Sequence, residues 1–181
     1  HRASSTIATW AAAIERALNT YACEKATVDA LFADHAIDQS RLMDANYRIP
    51  VVVMTKLWRS SVILTGDDAF GLRVAESVSP TTFHALGYAA MASKNFTEAV
   101  QRVIRNARLV SDIANLRLDM GEDQIRLYFN VRDESPDVSY EAIDAFMASL
   151  IHITRHYMHA RMPLLAVEMV RPEPKNRKRF D

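Results

Sequence analysis

Apolar side chains recur at Trp10, Ile14, Ala17, Leu18 and Tyr21 within residues 9–22, three and four positions apart, which predicts an amphipathic helix. Val28, Leu31 and Phe32 repeat the spacing over residues 27–33. The tract 35–50 is polar and turn-rich, and Pro50 stands where a helix would start, because its fixed φ and missing N–H are tolerated there. Met54, Leu57, Trp58, Ser61 and Thr65 form one face of the helix that follows, and Gly66 ends it. Asp67 or Asp68 is placed to cap the next helix, and Ser79 with Pro80 signals another over 80–92. Asn95 and Glu98 approximate a capping box ahead of a face made by Phe96, Val100, Val103, Ile104 and Ala107.

The period then falls from near 3.6 to 2. Leu116, Leu118 and Met120 alternate with Arg117 and Asp119; after the turn residues Gly121, Glu122, Asp123 and Gln124, the set Ile125, Leu127, Phe129 and Val131 alternates with Arg126, Tyr128, Asn130 and Arg132. This predicts a β-hairpin over about 115–132 with one apolar face, a unit too small to be stable in water without further strands or helical cover. Residues 139–162 return to helical spacing, with Ile143, Phe146, Met147, Leu150, Thr154, Tyr157 and Met158 in one stripe. Leu164 to Val170 reads as a later strand, at about 164–170. The order predicts an α+β fold in which N-terminal helices pack on a mainly antiparallel sheet, with a long helix between hairpin and late strand.

Composition narrows the possibilities. A chain of 181 residues, 49% hydrophobic, can bury one good core, expected over residues 1–174, with 175–181 as a solvated connector after the Pro-Glu-Pro run. Because the chain begins at His1 rather than Met and stops just after the basic run 175–179, both ends are expected to be cut edges of a longer protein. Twenty-two basic residues balance 22 acidic ones, so no overall field draws in a polyanion and the chain alone is not expected to bind DNA. The single Cys23 excludes an internal disulfide framework and fits a reducing compartment. No apolar run approaches the roughly 20 residues of a membrane span, and there is no secretory leader, so a cytoplasmic protein without membrane contact is expected.

Several blocks carry a family resemblance. The sequence Arg48-Ile49-Pro50, the stretch LWRSSVILTGDDAFGLRVAE from Leu57, LGYAAMAS from Leu86 and FTEAVQRVIRNARLVS from Phe96 together resemble the arabinose-binding-type N-terminal domain of AraC/XylS-family transcription regulators. The approach from Tyr21 to Pro50 and the segment RMPLLAVEMVRPEP from Arg161 extend the likeness over about 21–174. The resemblance implies an effector-sensing regulatory domain that binds a small molecule. It also implies a homodimer and a partner DNA-binding domain of helix-turn-helix type outside this chain. It does not name the effector.

No enzyme is expected and no cofactor. The four glycines, Gly66, Gly71, Gly87 and Gly121, are isolated, so no phosphate-cradling loop or dinucleotide fingerprint exists, and no nucleophile elbow occurs. A ligand site is expected beside the helix 80–92, with His84 and Tyr88, four residues apart, as polar contacts and Trp58, Met91 and Phe129 as apolar wall. His152, His156 and His159 fall at i, i+4 and i+7, a spacing that could hold a metal; a metal-dependent enzyme is the alternative reading, solvated histidines the simpler one, and no metal site is assigned. A dimerisation module without a ligand is a third possibility. Self-association is expected through Ala142, Ala145, Ser149, His152 and Ile153.

Overall fold

The computed structural model describes residues 3–132, 137–157 and 163–180. Strand β1 (Ser5–Ile7) leads into helix α1 (Thr9–Asn19), followed by α2 (Lys25–Asp34), strand β2 (Arg48–Pro50), α3 (Val51–Thr65) and α4 (Phe70–Glu76). A 3₁₀ turn (Pro80–Phe83), α5 (His84–Met91), α6 (Phe96–Arg105) and the short α7 (Ala107–Val110) lead to the hairpin of β3 (Ala114–Met120) and β4 (Ile125–Val131). Helix α8 (Tyr140–Tyr157) follows. The fold is α+β, with the helices gathered around two small antiparallel sheets.

Helix α1 lies at the centre. Ala11, Ala12, Ala13 and Ala17 let neighbours approach from several sides, while Trp10, Ile14 and Leu18 fill the space between them, so nearly the whole helix is buried. Helix α3 starts directly after Pro50 and ends at Gly66, whose φ of 65° gives the left-handed cap that glycine adopts without strain. Met54, Leu57, Trp58 and Ser61 form its buried face, as their spacing predicts. Helix α4 packs closely on α8: a β-carbon at Gly71 would collide with the Glu141 carbonyl oxygen, so glycine permits this approach.

The hairpin forms over the expected residues, and its strands pair antiparallel in a defined register. Ala114 opposes Val131, Leu116 opposes Phe129 and Leu118 opposes Leu127, which sets one apolar face against the helices. Phe129 meets Phe146 of α8 at a ring-centroid distance of 4.8 Å, so α8 supplies the cover that an isolated hairpin lacks.

Several expectations need correction. Residues 164–170 form no strand among the described residues; they have no regular structure and are largely exposed, with Leu165 72% exposed. Their apolar, β-branched composition expresses a strand only when a neighbouring edge pairs with it. Here the chain is tethered just beyond, where Arg171 pairs with Asp144 of α8. The continuous helix expected over 80–92 is broken at His84, whose φ of 51° and ψ of −134° reverse the chain. Helix α5 then folds back so tightly that a β-carbon at Gly87 would collide with the Pro80 carbonyl oxygen. Ala145 and Ser149, expected at a dimer contact, are fully buried within the chain. The small β1–β2 sheet, paired Ser5 to Pro50 and Ile7 to Arg48, was not anticipated, because three-residue strands leave almost no periodicity. The basic run is mostly exposed yet tied down at points: Arg179 pairs with Asp67 at 2.6 Å, and the backbone N–H groups of Lys175 and Asn176 donate to Asp68.

Candidate functional site

Where α1, α3, the hairpin and α8 converge, their side chains leave a cavity of about 70 Å³, partly open to solvent. Trp10 of α1, Met54 and Trp58 of α3, Phe129 of β4 and Phe146 of α8 are its large apolar lining residues. Each aromatic wall is braced by a second ring. Trp10 packs edge-on against Phe83 at 5.6 Å, Trp58 packs edge-on against Phe70 at 6.0 Å, and Phe129 is tilted onto Phe146. Bracing of this kind holds a pocket in shape before any ligand arrives.

Beside the lining residues Thr6, Val110 and Ser111, and adjacent to them in sequence, sits a cluster centred on Arg48, the first residue of the Arg-Ile-Pro block. Its guanidinium donates to the Ser5 hydroxyl (2.9 Å), the Ser5 carbonyl (3.0 Å), the Leu109 carbonyl (2.8 Å) and the Asp112 carboxylate (3.3 Å). Asp112 in turn accepts from the Ser5 N–H at 2.8 Å and the Ser5 hydroxyl at 2.7 Å. This clasp ties β1, β2 and the end of α7 together. The hydroxyl of Thr6, a wall residue, donates to the Val110 carbonyl at 2.9 Å, and Thr6 bridges Ser111. At another side Thr55 donates to the Asp137 carbonyl at 3.1 Å, and Arg59 pairs with the Asp137 carboxylate, fixing the approach to α8.

Of the expected site residues, the cavity brings Trp58 and Phe129 together. His84, Tyr88 and Met91 lie on α5, which contributes no residue to this lining. Tyr88 is 61% exposed, whereas the Nε2 atom of His84 is buried with no hydrogen-bond partner. Trp10 separates the two regions, with the cavity on one side and Phe83, the neighbour of His84, on the other. Sequence reasoning missed Thr6, Trp10, Met54 and Phe146 as wall residues. Helical periodicity marked Trp10, Met54 and Phe146 as buried, but burial against a cavity and burial against a neighbour have the same sequence pattern.

His152 and His156 stack at a ring-centroid distance of 4.3 Å, and the Nδ1 of His156 lies 3.0 Å from the His152 carbonyl oxygen. Burial, and then the nearby His156, pull the His152 imidazole below its usual pKa. His159 lies outside the described residues. Among those described, no group of three or more His, Cys, Asp or Glu side chains is arranged to hold a metal ion. No helix of the described chain is long and apolar enough to cross a membrane.

The most perturbed carboxyl lies elsewhere. Asp144 of α8 has its side chain 1% exposed and paired with Arg171, itself 9% exposed. Burial pushes the Asp144 carboxyl up to about 6 against the attraction of Arg171, with Glu141 and Asp68 adding to the rise. The Arg171 guanidinium is held between the rings of Tyr140 and Phe180, at 5.6 and 5.5 Å.

A comparison with curated proteins finds no match to this chain. A family model, the arabinose-binding domain found at the N-terminus of AraC transcription regulators, matches residues 26–181 and so takes in α2 through α8, the hairpin and all but the β1 and α1 parts of the cavity wall. The chain therefore belongs to the arabinose-binding N-terminal domains of AraC transcription regulators, a family of ligand-sensing regulatory domains rather than enzymes.

Proposed function

We propose that this chain is the effector-sensing half of a cytoplasmic transcription regulator, taking a small molecule into the cavity between α1, α3, the hairpin and α8. The carrying observation is the cavity itself, with aromatic walls contributed by four separate elements. A ligand there contacts the hairpin and α8 at once, so it favours whichever arrangement of the two closes best around it. That differential affinity is what a population shift requires. The readout would be DNA occupancy by a helix-turn-helix domain outside this chain, working as a homodimer on paired half-sites.

A metabolite thermal-shift screen tests the assignment, since a ligand at a hundred times its dissociation constant stabilises the fold by about 2.7 kcal/mol. Any hit is then titrated against the Phe129→Leu variant, which trims the wall without removing it. An affinity unchanged in either direction would place the site elsewhere. The alternative place is α5: the unpartnered His84 Nε2 is the observation that favours it, with Tyr88 and Met91 on the same short helix. Loss of binding in His84→Ala with retention in Phe129→Leu would select that location. Self-association is read by light scattering at tens of micromolar protein.

A further inference from the structure

The chemistry of the cavity wall restricts what can enter it, and this inference rests on the ligand-sensing reading above. None of the lining residues is charged. The hydroxyl donors of Thr6 and Thr55 are already committed to the Val110 and Asp137 carbonyls. The Ser111 hydroxyl and the indole N–H groups of Trp10 and Trp58 are the other side-chain donors of the wall. A pentose would bring in several hydroxyl groups, each needing a partner, and each one left unsatisfied loses its hydration without replacement. An alkyl group, by contrast, gains with each methylene transferred from water.

Size restricts the guest further. A dry cavity of about 150 Å³ is known to accept benzene, and this one is about 70 Å³. It accommodates on the order of four carbons. A guest of that size gains too little from burial alone to bind with millimolar affinity. A useful effector is therefore larger than the cavity and extends out of it.

We propose that the effector is an amphiphile whose uncharged alkyl end fills the cavity between Trp10, Trp58, Met54 and Phe129, and that the site does not take a sugar despite the family's name.

The two tryptophans of the chain, Trp10 and Trp58, both line this cavity, so intrinsic fluorescence reports occupancy without a label. The test titrates the protein with n-alkanols from ethanol to hexanol and, separately, with L-arabinose. Affinity is expected to rise about fourfold per methylene, the equivalent of about 0.8 kcal/mol, and to level off near four carbons; arabinose is expected to give no response. Ala142→Leu, a half-buried wall position on α8, is expected to remove the chain-length gain. Phe129→Leu enlarges the cavity and is expected to move the plateau to longer chains, so the inference remains testable if the first variant fails to fold.

Arabinose binding that Ala142→Leu abolishes would overturn the ligand class while leaving the cavity as the sensing site. Alkanol binding without chain-length dependence, or with the same plateau in both variants, would overturn the proposal. Absence of any response to alkanols would do the same.

Discussion

Replacing Arg171 by alanine removes the counter-charge of a carboxylate whose side chain is only 1% exposed. In the intact protein the Asp144 carboxyl is raised from an ordinary 3.8 to about 6. The folded state therefore holds this proton more tightly than the unfolded chain does. The stability that Asp144 contributes is fully present below pH ~4 and is lost as pH rises through about 6. A rise of that size corresponds to about 3 kcal/mol. Without Arg171 the carboxyl rises further, and the ionised form, unpaired and buried, costs about 3–5 kcal/mol near pH 7.5. At about pH 4 the group is neutral, and Arg171→Ala forfeits mainly the stacking on Tyr140 and Phe180, about 1 kcal/mol. For a domain of this size each kcal/mol moves Tm by about 2–4 °C, so the loss near neutral pH is roughly 6–20 °C. Urea unfolding from about pH 4 to 8 measures this for the parent, Arg171→Ala and Asp144→Asn. The difference between parent and Asp144→Asn isolates the Asp144 slope from opposing carboxylates such as Asp29, Asp38 and Glu98, whose pKa values are lowered. Equal destabilisation by Arg171→Ala at both ends of the range would refute the reasoning, as would a stability difference between parent and Asp144→Asn that does not change with pH.

Arg48→Lys keeps the charge but loses the fork that reaches Ser5, Leu109 and Asp112 together; about 2–3 kcal/mol of stability should be lost, seen in chemical denaturation. Gly71→Val forces α4 and α8 apart, and a drop of at least about 3 kcal/mol is expected by the same measurement; a change under about 1 kcal/mol would mean the helices have room that the packing denies. His84→Gly relieves a left-handed backbone and an unpartnered ring nitrogen, so a Tm that stays level or rises by a few degrees is expected, whereas a large fall would show that His84 contributes a contact of its own.

Much of the candidate site was half legible. Trp58 and Phe129 were identified because one lies on the buried face of a strongly patterned helix and the other on the apolar face of a hairpin that must be covered. Trp10 and Phe146 carried the same helical signal but no sign that a gap, rather than a neighbour, lay beyond them. Arg48 gave no periodic signal at all. Its role depends on Ser5, Leu109 and Asp112, which are up to 64 residues distant in sequence and meet only because β1 pairs with β2. The placement of His84 and Tyr88 on one recognition face assumed an unbroken helix from Pro80, and the reversal at His84 moved α5 out of the cavity wall.

What the sequence determined by itself are the features written locally: the period of each helix, the alternation of the hairpin, the Pro50 start and Gly66 stop of α3, and the family blocks. These depend on backbone geometry and near neighbours, which a few consecutive residues specify. Tertiary structure decided the rest. Whether Leu164 to Val170 pairs as a strand depends on an available edge, whether Arg179 is solvated depends on the position of Asp67, and whether four aromatic walls close or leave a cavity depends on small offsets between α1, α3, the hairpin and α8. Such outcomes are set by volumes and charges converging from distant segments, and the energy of that convergence is not contained in any one of them.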